Sequence, residues 1–185
     1  MIKKFPFIFQ HDAMDCGPAC VAMISKFYGK NYPLQYLRDM SFLTREGVSL
    51  SGLSQACENI GFESMAITTK IEEITEEKEN PLPCILFWNN AHFVVLYDTY
   101  KNIFTKKRFY KIADPASGLI NIPEDKFIDS WANSNNQGVA FLVNPTDKFY
   151  SLTPPKESQY NFKLLSKYIF PHKREFFRLF FVFSI

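Results

Sequence analysis

No stretch of this sequence is long enough to cross a bilayer on its own. The final apolar run, after Arg178, has seven residues, against the roughly 20 that a spanning helix needs. A charge excess is missing as well: 21 Lys and Arg stand against 19 Asp and Glu, a net +2 scattered along the chain. That excludes the concentrated basic footprint of a nucleic-acid binder. No cleavable export signal opens the chain, because Phe5 to Phe9 is short, contains Pro6, and meets Gln10, His11 and Asp12 without a small-residue cleavage site. Cysteines number four and do not form the ligand pairs of a structural zinc site: Cys16 and Cys20 make one pair at best, and Cys57 and Cys84 are isolated. All four fall in predicted helices or strands, which points to reduced thiols and a cytoplasmic setting. Internal repeats are absent.

What is present fits one domain and a tail. The chain has 185 residues and 46% hydrophobic content, enough for a single core. From Asp15 to Tyr28 the apolar residues Cys20, Met23, Ile24 and Phe27 recur at helical spacing, with Asp15 as predicted N-cap, Pro18 in the first turn and Gly29 as stop. Further helices are predicted over 34–40 and, between Ser49 as cap and Gly61 as terminator, over 50–60. After Gly61 the period changes. FESMAIT reads as a strand, IEEITEEKEN as a short acidic helix, and CILFW and HFVVLYD as strands joined through Asn89 and Asn90. FYKIAD, GLINI and GVAFLV read as further strands, with a helix carrying Phe127, Ile128 and Trp131 before the last. Short connections favour antiparallel pairing, so the fold class is α+β. The acidic run 72–79 and the basic run 101–111 are mixed with other residue types and read as solvated surface.

One feature of the helical part carries chemistry. Cys16 stands at the first turn of a helix, where the dipole and free N–H groups favour thiolate over thiol. Gly17 beside it is predicted to let a substrate backbone approach. Cys20, Cys57 and Cys84 read as small core residues. A nucleophilic thiol needs a base, and the base needs an orienting group. His92 opens a predicted strand, and Asp114 ends its predicted antiparallel neighbour, so the two share one end of the sheet. Pro115 then fixes the turn. Each has a plainer reading alone: a buried helix-start cysteine, a backbone-bonded histidine, an aspartate that starts a turn. Together they form a candidate Cys16–His92–Asp114 constellation, with Gln10 placed to loop back and join the Cys16 N–H in an oxyanion hole.

The stretches QHDAMDCGPAC (Gln10 to Cys20), HFVVL from His92 and ADPASG (Ala113 to Gly118) resemble, in order and over roughly residues 5–145, the bacteriocin-processing (double-glycine leader) cysteine peptidase domain of peptidase-containing ABC transporters. The resemblance implies a papain-like fold, with a helical N-terminal lobe carrying the cysteine and an antiparallel β-sheet lobe carrying the histidine and aspartate. It implies Cys16 as nucleophile, His92 as general base and acid, Asp114 as orienting carboxylate and Gln10 as oxyanion donor. It implies no cofactor for the peptidase domain, with ATP and Mg belonging to a part of the transporter outside this sequence. The substrate it implies is a precursor peptide cut after a Gly-Gly-type leader and coupled to export by a homodimeric transporter.

The expected organisation is a peptidase domain over 1–147, a linker over 148–160, and over 161–185 an interfacial amphipathic helix leading into a truncated transmembrane domain. That places the peptidase on the cytoplasmic face of the cell membrane. Two other functions share these residues: a Cys-His-Asp acyltransferase, and a non-catalytic domain that docks cargo for a transporter.

Overall fold

Helix α1 (Cys16–Phe27) forms where its apolar spacing predicts. Pro18 sits in the first turn, where its missing N–H has no intrahelical acceptor, and Gly29 closes the segment at φ +95°. Cys20, Val21, Met23 and Ile24 are completely buried. The computed structural model describes residues 4–42, 44, 47–75, 82–156, 167 and 170–174. Helix α2 (Leu34–Met40) and helix α3 (Leu50–Asn59) pack against α1. Ser49 caps α3, its Oγ accepting the Gly52 N–H at 3.1 Å. Leu53, Cys57 and the following Ile60 are fully buried.

Among the described residues six strands follow: β1 (Phe62–Thr69), β2 (Cys84–Trp88), β3 (His92–Lys101), β4 (Arg108–Asp114), β5 (Gly118–Pro123) and β6 (Gly138–Pro145). They form one antiparallel sheet in the order β1-β6-β2-β3-β4-β5. Asn89 and Asn90 turn β2 into β3 with φ of 49° and 54°, and the Ala91 N–H closes the turn on the Trp88 carbonyl at 3.1 Å. Left-handed backbone is less costly for asparagine than for most residues, which suits the pair to this turn.

Alternation along the central strands feeds two cores. Ile85, Phe93, Val95, Phe141 and Val143 meet the α1–α3 layer. Leu86, Val94, Leu96, Tyr110 and Ile112 meet Ile71 and Ile74 of α4 (Ile71–Thr75) and Phe127 and Trp131 of α5 (Glu124–Trp131) on the opposite side. Each fully buried residue of this kind is worth about 1.5–3 kcal/mol relative to exposure. The sheet is therefore covered on both faces, and its ends are where a functional side chain can reach solvent.

A short helix, α6 (Asp147–Ser151), has no counterpart in the sequence reading. Its Phe149 is fully buried, with its ring centroid 4.3 Å from that of Phe62. A single anchoring aromatic in five residues gives no periodicity to detect. The acidic helix is described over Ile71–Thr75, and its continuation over 76–80 lies outside the described residues. Most of the amphipathic segment at 163–178 lies outside them too, apart from 167 and 170–174. Among the described residues no helix is long and apolar enough to cross a membrane.

Candidate active site

The three candidate residues sit at element ends. Cys16 is the first residue of α1, His92 the first of β3 and Asp114 the last of β4. The fold brings them together: His92 hydrogen-bonds to Asp114, and its ring also interacts with the Cys16 thiol. His92 Nε2 lies 2.8 Å from Asp114 Oδ1, which leaves Nδ1 as the ring nitrogen for the sulfur. Asp114 Oδ1 also accepts the Ala116 N–H at 2.9 Å. Cys16 is 6% exposed, so the thiol lies within a wall rather than on an open surface.

Charge follows from these contacts. The Asp114 hydrogen bond, then the interaction with Cys16, lift His92 from its ordinary 6.5 to about 9 against the opposing effect of burial. Burial pulls Asp114 upward, but the bonds from His92, Ala116 and Ser117 outweigh it and hold the carboxyl below its ordinary value. The ring is thus protonated at neutral pH between a carboxylate and a sulfur. A protonated ring stabilises negative charge on a sulfur beside it. The other thiols are inert by comparison: all four cysteines are free, burial pushes Cys20 and Cys57 well up, and it pushes Cys84 up to about 12.

Gln10 is brought to the same end of the sheet. Its N–H donates to the Pro115 carbonyl at 3.1 Å, one residue past Asp114, and its amide oxygen is buried without a hydrogen-bond partner. His11 remains exposed and His172 lies in an exposed 3-10 turn, Phe170–His172.

Two sequence expectations are corrected here. Asp15 occupies the N-cap position of α1, but its side chain makes no capping bond. It turns back instead to the N–H groups of His11 and Asp12 at 3.2 and 3.1 Å. Gly17 is buried, and a Cβ there would fall 2.3 Å from Val48 Cγ1 and 2.9 Å from Leu53 Cδ2. Its missing side chain makes room for helix packing, not for substrate. The turn that brings Ser117 back to Asp114, its N–H donating to the Asp114 carbonyl at 3.0 Å, was also missed, although Asp-Pro-Ala-Ser is a turn-forming sequence.

Residues 4–148 match the peptidase C39 family. The chain is 34% identical over 151 residues to the colicin V secretion/processing ATP-binding protein CvaB of Escherichia coli, covering 82% of this chain and 20% of that protein. It is 34% identical over 146 residues to the lactococcin-G-processing and transport ATP-binding protein LagD of Lactococcus lactis subsp. lactis, covering 77% and 19%. The chain thus spans about one fifth of the length of these curated relatives. Among solved structures, a double glycine motif protease from an AMS/PCAT transporter, in complex with the leader peptide, matches at TM-score 0.66 and 32% identity, covering 77% of this chain and 93% of that one. The peptidase domain of Streptococcus ComA, a bi-functional ABC transporter, matches at TM-score 0.66 and 25% identity, covering 77% and 99%. The papain-like α+β arrangement is the one expected. With a helix-borne thiol seated against a histidine–aspartate pair and matches that run from residue 4 to residue 148, the chain belongs to the peptidase C39 family of cysteine peptidases.

Proposed function

We propose that this domain removes the leader from a ribosomally made, bacteriocin-like precursor peptide by cutting after a Gly-Gly-type site. The observation that carries the reading is the continuous line from the Cys16 thiol through His92 to Asp114. Cys16 Sγ attacks the scissile carbonyl carbon and forms a C–S bond. The resulting oxyanion is held by the Cys16 N–H and the Gln10 side-chain amide. His92 gives its proton to the leaving amine as the C–N bond breaks, and Asp114 steadies the ring. Water then loses a proton to His92 and attacks the thioester. The C–S bond breaks, the acid product leaves and the thiolate returns. Every proton in this cycle is moved by protein groups, so the peptidase chemistry needs no cofactor.

The relatives' names support a wider setting. They describe secretion and transport ATP-binding proteins, and one solved neighbour was captured with a leader peptide. We place this domain on the cytoplasmic face of the cell membrane, in a homodimeric transporter whose ATP and Mg sites lie outside the present sequence. The expected division is a peptidase over 1–147, a linker over 148–160 whose start is held on the domain by the buried Phe149 of α6, and a membrane-entering segment over 161–185. The test is incubation with a synthetic precursor carrying an amphipathic leader that ends in Gly-Gly, read by mass spectrometry. Two fragments whose summed mass exceeds the precursor by one water support the reading. An acyl group transferred to an added amine in place of water overturns hydrolysis, and an intact precursor overturns the peptidase assignment.

A further inference from the structure

The segment between Gln10 and Cys16 holds both groups assigned above to the oxyanion hole, one at each end. A fully buried charge lies inside it. Asp15 has no exposed surface, yet its carboxylate is tied on two sides. Oδ2 accepts the N–H groups of His11 and Asp12. Oδ1 lies 3.0 Å from Arg38 Nε on α2, as an ion pair rather than an aligned hydrogen bond. Arg38 Nη2 reaches a second carboxylate, donating to Asp12 Oδ2 at 3.0 Å. Asp12 Oδ1 in turn accepts the Met14 N–H at 2.8 Å. One guanidinium therefore bridges two carboxylates that between them gather three backbone N–H groups of the same seven-residue segment.

We infer that Arg38 and Asp15 form a positioning clamp that sets the distance and angle between the Gln10 amide and the Cys16 N–H. The inference rests on the peptidase reading above and adds residues that touch neither thiol, histidine nor substrate. A buried carboxylate beside a nucleophile would ordinarily oppose charge build-up on the neighbouring sulfur. Arg38 offsets that charge, and the carboxylate is then free to act as a fixed acceptor for the loop. Arginine suits the task because its planar fork has donors aimed at two partners at once, whereas a lysine ammonium is a single point. The segment is held at its other end by the Gln10 N–H bond to Pro115. Between these two anchors the oxyanion donors have little freedom to drift. A misplacement of about 1 Å at such a site costs about 100-fold in rate.

The experiment compares two reactions of the same sulfur. Hydrolysis of a peptide ending in Gly-Gly-aminomethylcoumarin passes through an oxyanion. Alkylation of Cys16 by iodoacetamide does not. Arg38→Met should lower kcat on the reporter by about 100-fold with KM within about threefold, while the rate of Cys16 alkylation at its high-pH plateau, where the lost Arg38 charge no longer limits thiol ionisation, stays within about twofold of wild type. Arg38→Lys, which keeps the charge but not the fork, should fall between. Unchanged hydrolysis overturns the clamp, and so does an equal loss of both reactions, which would mark general damage to the site. If circular dichroism shows that Arg38→Met does not fold, Asp12→Asn decides the matter: Asp12 is half-exposed, and its loss should reduce kcat by about tenfold with alkylation intact, whereas wild-type kcat overturns the clamp. Wild-type cleavage of the reporter tests the peptidase reading separately, since the clamp is judged only on the ratio of variant to wild type.

Discussion

His92 and Asp114 meet beyond the end of the ladder that joins their strands. The last paired residues of β3 and β4 at this end are Val95 and Ala113, so the 2.8 Å contact between His92 Nε2 and Asp114 Oδ1 is made by side chains past the end of the β3–β4 ladder, while His92 stays paired to Trp88 of β2 and Asp114 to Gly118 of β5. The backbone pairing fixes their separation, while neither residue is locked inside the core. That combination leaves the ring one nitrogen for Asp114 and one for Cys16.

Selective labelling follows from this placement. Iodoacetamide at neutral pH should add one group to the native protein, at Cys16, because the other three thiols have no exposed surface. Denaturation should raise the count to four, since all four are free. His92→Ala should slow the native reaction by about tenfold or more, by removing the protonated ring beside the sulfur. Peptide mass spectrometry reads both results, and native labelling at Cys20 in place of Cys16 would reverse the assignment.

The pH dependence has a defined sign. His92 is raised from 6.5 to about 9, so its protonated form contributes stability that is fully present below 6.5 and is lost as pH rises through about 9. In the proposed mechanism the acid that serves the leaving amine disappears over the same upper range. Peptide cleavage should therefore decline with an alkaline limb near pH 9. Asp114→Asn removes the largest cause of the shift and should move that limb down toward 6.5. Initial rates from pH 5 to 10 in both proteins test this, and a limb that stays at the same pH in the variant would show that another group governs it.

Much of this was legible in the sequence because it depends on local pattern. The spacing of Cys20, Met23 and Ile24 gave α1, the alternation in HFVVL gave β3, and Asp-Pro gave the end of β4. The Cys16–His92–Asp114 grouping needed one further step, that adjacent antiparallel strands bring a start beside an end. Arg38 was out of reach for a different reason. Its partners Asp12 and Asp15 lie 26 and 23 positions earlier, and no local rule says which surface of a seven-residue helix faces which loop. Gly17 was misread because the atoms that occupy its space, from Val48 and Leu53, come from a segment whose packing only the tertiary fold decides.

Gly17→Ala separates packing from substrate access. The added methyl would collide with Val48 and Leu53, and overpacking of this kind costs about 1–3 kcal/mol. For a chain of this size that lowers Tm by about 2–4 °C per kcal/mol. Thermal unfolding should show the drop. If Tm is unchanged while KM for a leader peptide rises several-fold, the glycine serves the cleft after all.

Cys16→Ala separates catalysis from docking. In the proposed mechanism Cys16 contributes the attacking sulfur, but the fold around it is carried by Cys20, Met23, Ile24 and the sheet residues they meet. Replacing one thiol at the start of α1 should leave a folded protein in which cleavage is undetectable and leader binding, measured by calorimetry, is within about threefold of wild type. Loss of binding together with cleavage would mean that the thiol belongs to the recognition surface. Cleavage that survives in Cys16→Ala would remove the nucleophile assignment and, with it, the step that gives Gln10, His92 and Asp114 their roles. Retained binding with lost cleavage is the outcome that a thiol peptidase requires and a pure docking domain cannot give, because a docking domain has no cleavage to lose.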